Sequence, residues 1–235
     1  LENAVRNDQN VRAPRTMAVL DTLKVVLTNV PAGETEWLEA PLHPKNESMG
    51  SRQVPLTREI WIEQGDFMEQ PPRKFFRLKP GGEVRLRNAF IIRCVEVIKN
   101  ASGKVTELHC EFVPETRSGM PGAERKVMGT IHWVSAEHGR PVEIRLCDRL
   151  FTVPNPLGDK RRDYREFLNP HSLDISQGCI VEATVAEGAA GDFYQFERTG
   201  YFCHDHVDSR PGRPVLNRIV TLRDSWARIE QELAR

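Results

Sequence analysis

The 235-residue chain has no charge of a dominant sign: 33 Lys and Arg stand against 33 Asp and Glu. The bulk positive charge of a typical nucleic-acid binder is absent, so any anion-binding surface must come from local clustering of basic residues. Long hydrophobic runs are absent too. No stretch approaches the roughly 18 residues of a membrane span, and the opening LENAVRNDQ has no apolar signal core. It also lacks an initiator Met, which points to a fragment or a processed chain. There is no CxxC. The five cysteines (Cys94, Cys110, Cys147, Cys179 and Cys203) are odd in number, widely spaced and mostly flanked by apolar residues. That pattern argues against a disulfide or zinc framework and for reduced, mostly buried thiols in a cytoplasmic protein. GxSxG, HExxH, GxxxxGKS/T and GxGxxG are all missing, so no common hydrolase, metalloprotease or nucleotide-cradle signature is present.

Long amphipathic helices are the last absence, and strands fill their place. EIWIEQGDF (59–67) alternates clearly. Residues 75–113, FFRLKPGGEVRLRNAFIIRCVEVIKNASGKVTELHCEFV, read as strand, Gly-Gly turn, long strand, Asn-Ala-Ser-Gly hairpin and strand. Further strands are expected in 126–135, 142–153, 172–186, 193–205 and 214–224, and LGDKRRDYREFLN (157–169) has room for a helical turn. Residues 1–14 are polar, end in Ala-Pro and read as a linker. SWARIEQELA (225–234) is the one convincing helix, with Ser225 placed to cap it and Trp226, Ile229 and Leu233 on one face. The pattern is all-β, as barrels or sandwiches. EVRLRNAF (83–90) is echoed by EIRLCDRLF (143–151), a hint of two related β units.

The arginines carry the strongest chemical signal. On a strand, Arg85 and Arg87 share a face, Arg77 lies just upstream, and Arg198 follows Gln195 by three residues. Arg15 precedes the first strand, and Arg52 lies in GSRQVP. Two like charges side by side are unfavourable without an anion between them, although Glu83 on the same face offers an internal counter-charge. Guanidinium suits phosphate and base edges. Phe75, Phe76, Tyr194, Phe196 and Tyr201 offer either stacking surfaces for unpaired bases or core. Cys203-His204-Asp205-His206 holds four metal-ligating types in a row, but strand alternation sends them to opposite faces and a structural zinc needs converging ligands. The ordinary reading is a strand end with exposed histidines, and for His132 a packed, hydrogen-bonded group.

Several segments in order, MGSRQVP (49–55), GEVRLRNA (82–89), GTIHWVS (129–135), PVEIRLCDRLFTVPNP (141–156), QFERTGYF (195–202) and LRDSWAR (222–228), resemble the C-terminal anticodon-binding region of glutaminyl-tRNA synthetases, a class I family. The likeness runs from about Arg12 to Arg228; glutamyl synthetases of the eukaryotic and archaeal type share the ancestry. It implies two six-stranded β-barrels of the ribosomal protein L25 type with a short C-terminal helix. Their expected limits are 15–137 and 138–235, with strand exchange between barrels open. It implies that the three bases of the tRNA(Gln) anticodon loop are splayed into separate pockets. By motif, those pockets fall on Arg15, Gln195 and Arg198 for the central uracil, Arg77 for the third-position guanine, and Arg85 and Arg87 near the first base. Phe76, Lys74 and Lys45-Asn46 depart from the family pattern. The HIGH-like and KMSKS-like motifs do not occur, so no catalytic centre is expected here. No cofactor is expected in this stretch; ATP and magnesium belong to the full-length enzyme. The partners implied are tRNA(Gln) and the catalytic part of the same polypeptide, in a cytoplasmic monomer without membrane contact. The competing readings are a free-standing L25-like module that binds RNA or protein, and an enzyme with its site at Cys203–His206.

Overall fold

The computed structural model describes residues 2–117 and 120–222. The expected C-terminal helix, 225–234, lies outside the described residues. Residues 2–12 are not a linker but a helix, α1 (Glu2–Arg12). Ion pairs one turn apart, Glu2–Arg6 and Asp8–Arg12, support it. Val5 packs against the buried pair Tyr201 and Val220, and Pro14 follows its end. Polarity misled the sequence reading, because one docked apolar residue is enough to orient a short helix.

Two short strands follow, β1 (Arg15–Thr16) and β2 (Ala18–Val19), then β3 (Thr22–Leu27). A two-stranded ribbon, β4 (Thr35–Pro41) and β5 (Ser51–Thr57), leads to β6 (Glu59–Glu63). Next come β7 (Glu83–Leu86), β8 (Ile91–Lys99), β9 (Val105–Val113), β10 (Thr130–Ile131) and β11 (Val134–Ser135). The second half holds β12 (Arg140–Cys147), β13 (Leu173–Val181), helix α2 (Ala183–Ala186), β14 (Phe193–Phe196), β15 (Gly200–His204) and β16 (Val215–Thr221). No helix among the described residues is long and apolar enough to cross a membrane.

The strands form two seven-membered sheets, each closed by one broken segment. In the first, ordered β10-β7-β8-β9-β3-β6-β11, residues 130–135 pair with β7 through their first half and with β6 through their second. In the second, ordered β1-β14-β15-β16-β12-β13-β2, residues 15–19 do the same between β14 and β13. Counting each broken segment as one strand, both barrels have six. Closure leaves neither barrel an open sheet edge. The two barrels also match pair by pair: parallel at β10–β7 and β1–β14, parallel again at β3–β9 and β12–β16, antiparallel elsewhere.

Residues 15–19 therefore close the second barrel, although they precede the first in the chain and the sequence reading grouped them with it. Their side chains alternate: Met17 and Val19 enter the first core, with Leu23, Ile60, Leu86 and Trp133, while Ala18 enters the second, with Ile144, Phe196, Phe202 and Leu216. One short segment is thus a wall common to both barrels. A buried ion pair reinforces it. Arg52 Nε and Nη2 donate to Glu182 Oε2 and Oε1 at 2.6 and 2.8 Å, and Glu182 Oε1 also accepts the Met17 N–H at 2.6 Å.

Backbone bonds fix which positions of the two barrels are equivalent. The Arg85 and Gln195 amides donate to the Gly129 and Pro14 carbonyls, those of Arg87 and Glu197 to Ile131 and Thr16, and those of Ala89 and Thr199 to Leu86 and Phe196. Arg85 thus corresponds to Gln195, Arg87 to Glu197 and Asn88 to Arg198. Asn88 and Arg198 both sit in the left-handed region, at φ 58° and 66°. The echo noted in the sequence lies instead on β7 and β12, which hold different places: β12 corresponds to β3. The duplication is in the topology, not at that echo. The long strand expected between the Gly-Gly turn and the Asn-Ala-Ser-Gly hairpin is broken at Asn88 by this turn, and 75–78 forms only the isolated bridge Phe67–Leu78.

Candidate nucleic-acid interface

The turn between β14 and β15 projects Glu197 and Arg198 from the second barrel toward the first. A left-handed backbone costs a side-chain-bearing residue about 1–2 kcal/mol. At Arg198 it is offset by a bidentate pair, with Nη1 and Nη2 donating to Asp66 Oδ2 and Oδ1 at 2.7 Å each. Asp66 ends a 3-10 turn, Gln64–Asp66, that follows β6, and is buried. Arg77 reaches the same carboxylate, its Nε 3.3 Å from Asp66 Oδ1, while its Nη1 donates to the Gly65 carbonyl at 3.0 Å.

His132, in the break of the closing segment, lies behind this pair, 3.2 Å from Arg198 Nη1 through Nδ1 and 3.3 Å from Glu63 Oε1 through Nε2. Guanidinium only donates, so Nδ1 accepts and Nε2–H donates to Glu63; the network assigns the tautomer. Glu63 in turn accepts the Leu20 and Asp21 amides at 2.9 and 3.0 Å. His132 is packed and hydrogen-bonded, as its sequence context indicated.

Beside these groups, Arg15 and Gln195 face each other in register. Arg15 donates to the Ala13 carbonyl at 2.9 Å and to Asn10 Oδ1 at 2.8 Å. Burial lowers its pKa below the usual guanidinium value, with Tyr201 and then Glu197 opposing the shift. Gln195 is 9% exposed, yet its Oε1 has no partner among the described residues. Arg87 crosses between barrels to Glu197 Oε1 at 3.3 Å, and its own Nε is likewise unpartnered. The Trp133 indole holds the Arg87 carbonyl at 3.0 Å.

Arg85 is placed differently. Its guanidinium donates to the carbonyls of Thr116, Ala123 and Arg125 at 2.8–3.0 Å, so it ties down the loop after β9. Glu83 pairs with Arg125, and so is not a counter-charge between Arg85 and Arg87. Five of the six residues singled out in the sequence, Arg15, Arg77, Arg87, Gln195 and Arg198, thus lie in one connected set at the junction of the barrels; Arg85 turns toward the loop. Arg52 is structural. Asp66, Glu63 and Glu197 escaped the sequence reading, because isolated carboxylates in a chain with 33 of them carry no pattern. Of the aromatics, Phe196 and Tyr201 are core and Phe76 is exposed next to Arg77.

The Cys203–His206 run does not converge. His204 is buried and donates Nε2–H to the Val185 carbonyl at 2.7 Å, a correction to its expected exposure. Asp205 accepts the Val207 and Asp208 amides and the Asn217 side chain. Among the described residues no three His, Cys, Asp or Glu side chains form a metal-binding group. Cys94, Cys110 and Cys179 are buried, Cys147 is exposed, and all five thiols are free.

Two closed β-barrels meeting at an arginine-rich junction define a double β-barrel module. Family models described as the anticodon-binding domain of class I (E and Q) tRNA synthetases match residues 13–113 and 130–205. The chain belongs to that family. Among curated relatives, the glutamine–tRNA ligase of Ralstonia pickettii (strain 12J) is 51% identical over 230 residues, 97% of this chain and 39% of the relative. That of Xanthomonas axonopodis pv. citri (strain 306) is 53% identical over 229 residues, again 97% and 39%. That of Pseudomonas putida KT2440 is 52% identical over 229 residues, 96% and 40%. The chain spans about two fifths of the length of these relatives.

Proposed function

We propose that the junction of the two barrels receives the anticodon loop of tRNA(Gln), so that a catalytic region outside this chain attaches glutamine to the correct tRNA in the cytoplasm. The observation that carries this reading is the convergence of Arg77, Arg87, Arg198, Arg15 and Gln195 from two barrels, with a buried Gln195 amide oxygen left without a partner. An unpaired uracil has two acceptors and one N–H donor. The free Gln195 Oε1 answers that donor, and neighbouring guanidinium N–H groups answer the acceptors. At the third position, Arg77 supplies the two parallel donors that guanine O6 and N7 accept. Arg87 serves the first base and its phosphate. Arg85 contributes by holding the 114–125 loop beside that position. The Asp66 carboxylate stays behind Arg77 and Arg198 when RNA arrives, and the Glu197 contact of Arg87 is the exchangeable one.

On this reading the chemical step, with the ATP and magnesium it is expected to need, belongs to the region of the longer ligases outside this chain. The contribution of this chain is selection: only a loop whose bases satisfy all pockets is held long enough for the distant reaction.

The test places Arg198→Ala and Arg87→Ala in the full-length ligase. Each is expected to lower kcat/KM for cognate tRNA by about 1–3 kcal/mol and to flatten discrimination against anticodon substitutions, while glutamine-dependent ATP–pyrophosphate exchange with saturating tRNA changes little. Unchanged anticodon discrimination in both variants would overturn the proposal.

A further inference from the structure

Asp66 is an odd residue for an RNA-binding surface. A carboxylate repels phosphate, and this one lies among the cations expected to meet RNA. It is 1% exposed, whereas the Arg77 and Arg198 side chains keep 20% and 30% of their exposure. The guanidinium groups are within reach of solvent and the carboxylate between them is not.

We infer that Asp66 couples the reading of two adjacent anticodon bases, by holding Arg77 of the first barrel and Arg198 of the second on a single buried carboxylate. This rests on the anticodon reading above. Both oxygens of Asp66 are engaged: Oδ1 by Arg198 Nη2 at 2.7 Å and by Arg77 Nε at 3.3 Å, and Oδ2 by Arg198 Nη1 at 2.7 Å. Arg77 is bound a second time to the same turn, through the Gly65 carbonyl at 3.0 Å. Arg198 is bound a second time to the same support, through His132 to Glu63, the residue that precedes the turn. Glu63 is pinned by the Leu20 and Asp21 amides. One carboxylate also lets two cations share a small space, since each sees an opposite charge nearer than the like one. The turn therefore cannot follow a base on one guanidinium without moving the other.

Binding events that share one such element do not add independently. A base that engages Arg198 orders Arg77 as well, and the reverse holds. Replacing one base removes its own contact and weakens its neighbour's. The loss on replacing both is then smaller than the product of the two single losses.

The measurement uses the 235-residue chain and four RNA hairpins bearing the anticodon loop: unchanged, second base replaced, third base replaced, and both replaced. Dissociation constants are read by fluorescence anisotropy at one salt concentration. For the unsubstituted chain, the product of the two single fold-losses should exceed the double loss by about fivefold. In Asp66→Asn that excess should vanish and both single-base preferences should shrink; Asp66→Glu, which keeps the charge, should recover part of it. Single losses that multiply in the unsubstituted chain overturn the coupling whether or not either variant folds, and leave the anticodon reading standing. An excess that persists in folded Asp66→Asn also overturns it. No preference for either base in the unsubstituted chain overturns the anticodon reading, and the coupling with it.

Discussion

The two barrels are built to one plan and use it differently. Position by position, Arg85 of the first corresponds to Gln195 of the second, Arg87 to Glu197 and Asn88 to Arg198, with matching backbone bonds and the same left-handed turn. In the first barrel the Arg85 guanidinium is spent on three carbonyls of its own loop. In the second, Gln195 keeps its amide oxygen unpaired. The turn residue Asn88 suits the left-handed conformation, since Asn tolerates it at little cost. Its counterpart Arg198 is strained there and is held in place by Asp66 of the other barrel. The difference teaches that the scaffold supplies backbone positions, and that the choice of side chain decides whether a position serves the barrel or the junction. Arg87 and Glu197 show the meeting of the two: equivalent residues, opposite charges, 3.3 Å apart across the boundary.

Four substitutions sharpen this comparison. The largest effect is expected at the wall common to both barrels. Arg52→Ala leaves Glu182 buried and uncompensated and should cost about 3–5 kcal/mol. Urea unfolding followed by fluorescence should still show one transition for both barrels. Two separated transitions would mean that the barrels are independent and that the wall does not unite them. Next comes the equivalent pair. Arg85→Ala deprives three loop carbonyls of their donor and should cost about 1–3 kcal/mol, with faster proteolysis within 114–125. Gln195→Leu should stay within about 1 kcal/mol of the parent, because its amide oxygen has no partner to lose. Equal costs at the two positions would erase the proposed division of labour.

The smallest effect belongs to the second barrel alone. Hydrogen bonds from the Asp208 amide, the Asn217 side chain and the Val207 amide hold the Asp205 carboxyl down to about 2, against about 4 in an unfolded chain. A depressed carboxyl stabilises the fold above its unfolded pKa and ceases to do so as pH falls through its folded one. Asp205→Ala should therefore lower the urea midpoint at neutral pH, by no more than about 1 kcal/mol for so solvated a group. The difference should fade between about pH 4 and pH 2. A constant difference across that range would show that the carboxylate charge is not its source.

Much of the strand content could be read from local pattern. The Asn-Ala-Ser-Gly hairpin joins β8 and β9 where the turn residues stand, and EIWIE forms β6 as its alternation requires. The closing segments could not be read this way. Strands of two residues, such as β1 and β10, carry no periodicity, and the left-handed turns at Asn88 and Arg198 interrupt runs that alternate well on paper. For the same reason Arg85 and Arg87, neighbours on one face in the sequence pattern, are separated by what surrounds them. The family resemblance named the arginines; it said nothing of Asp66 or Glu63, whose roles appear only with their partners.

Sequence by itself determined the all-β class and the absence of a bulk charge of either sign, which follow from composition and from side-chain alternation over neighbouring residues. The donors at the junction were named by the resemblance of their motifs to the family. Only the tertiary structure decided that residues 15–19 close a barrel built more than 120 positions later, that Arg198 meets Asp66 132 residues away, and that Arg85 turns aside. The physical reason is that closure and charge pairing are settled by long-range contacts. A guanidinium takes whichever carboxylate or carbonyl the folded backbone brings within about 3 Å, and no local pattern records that distance.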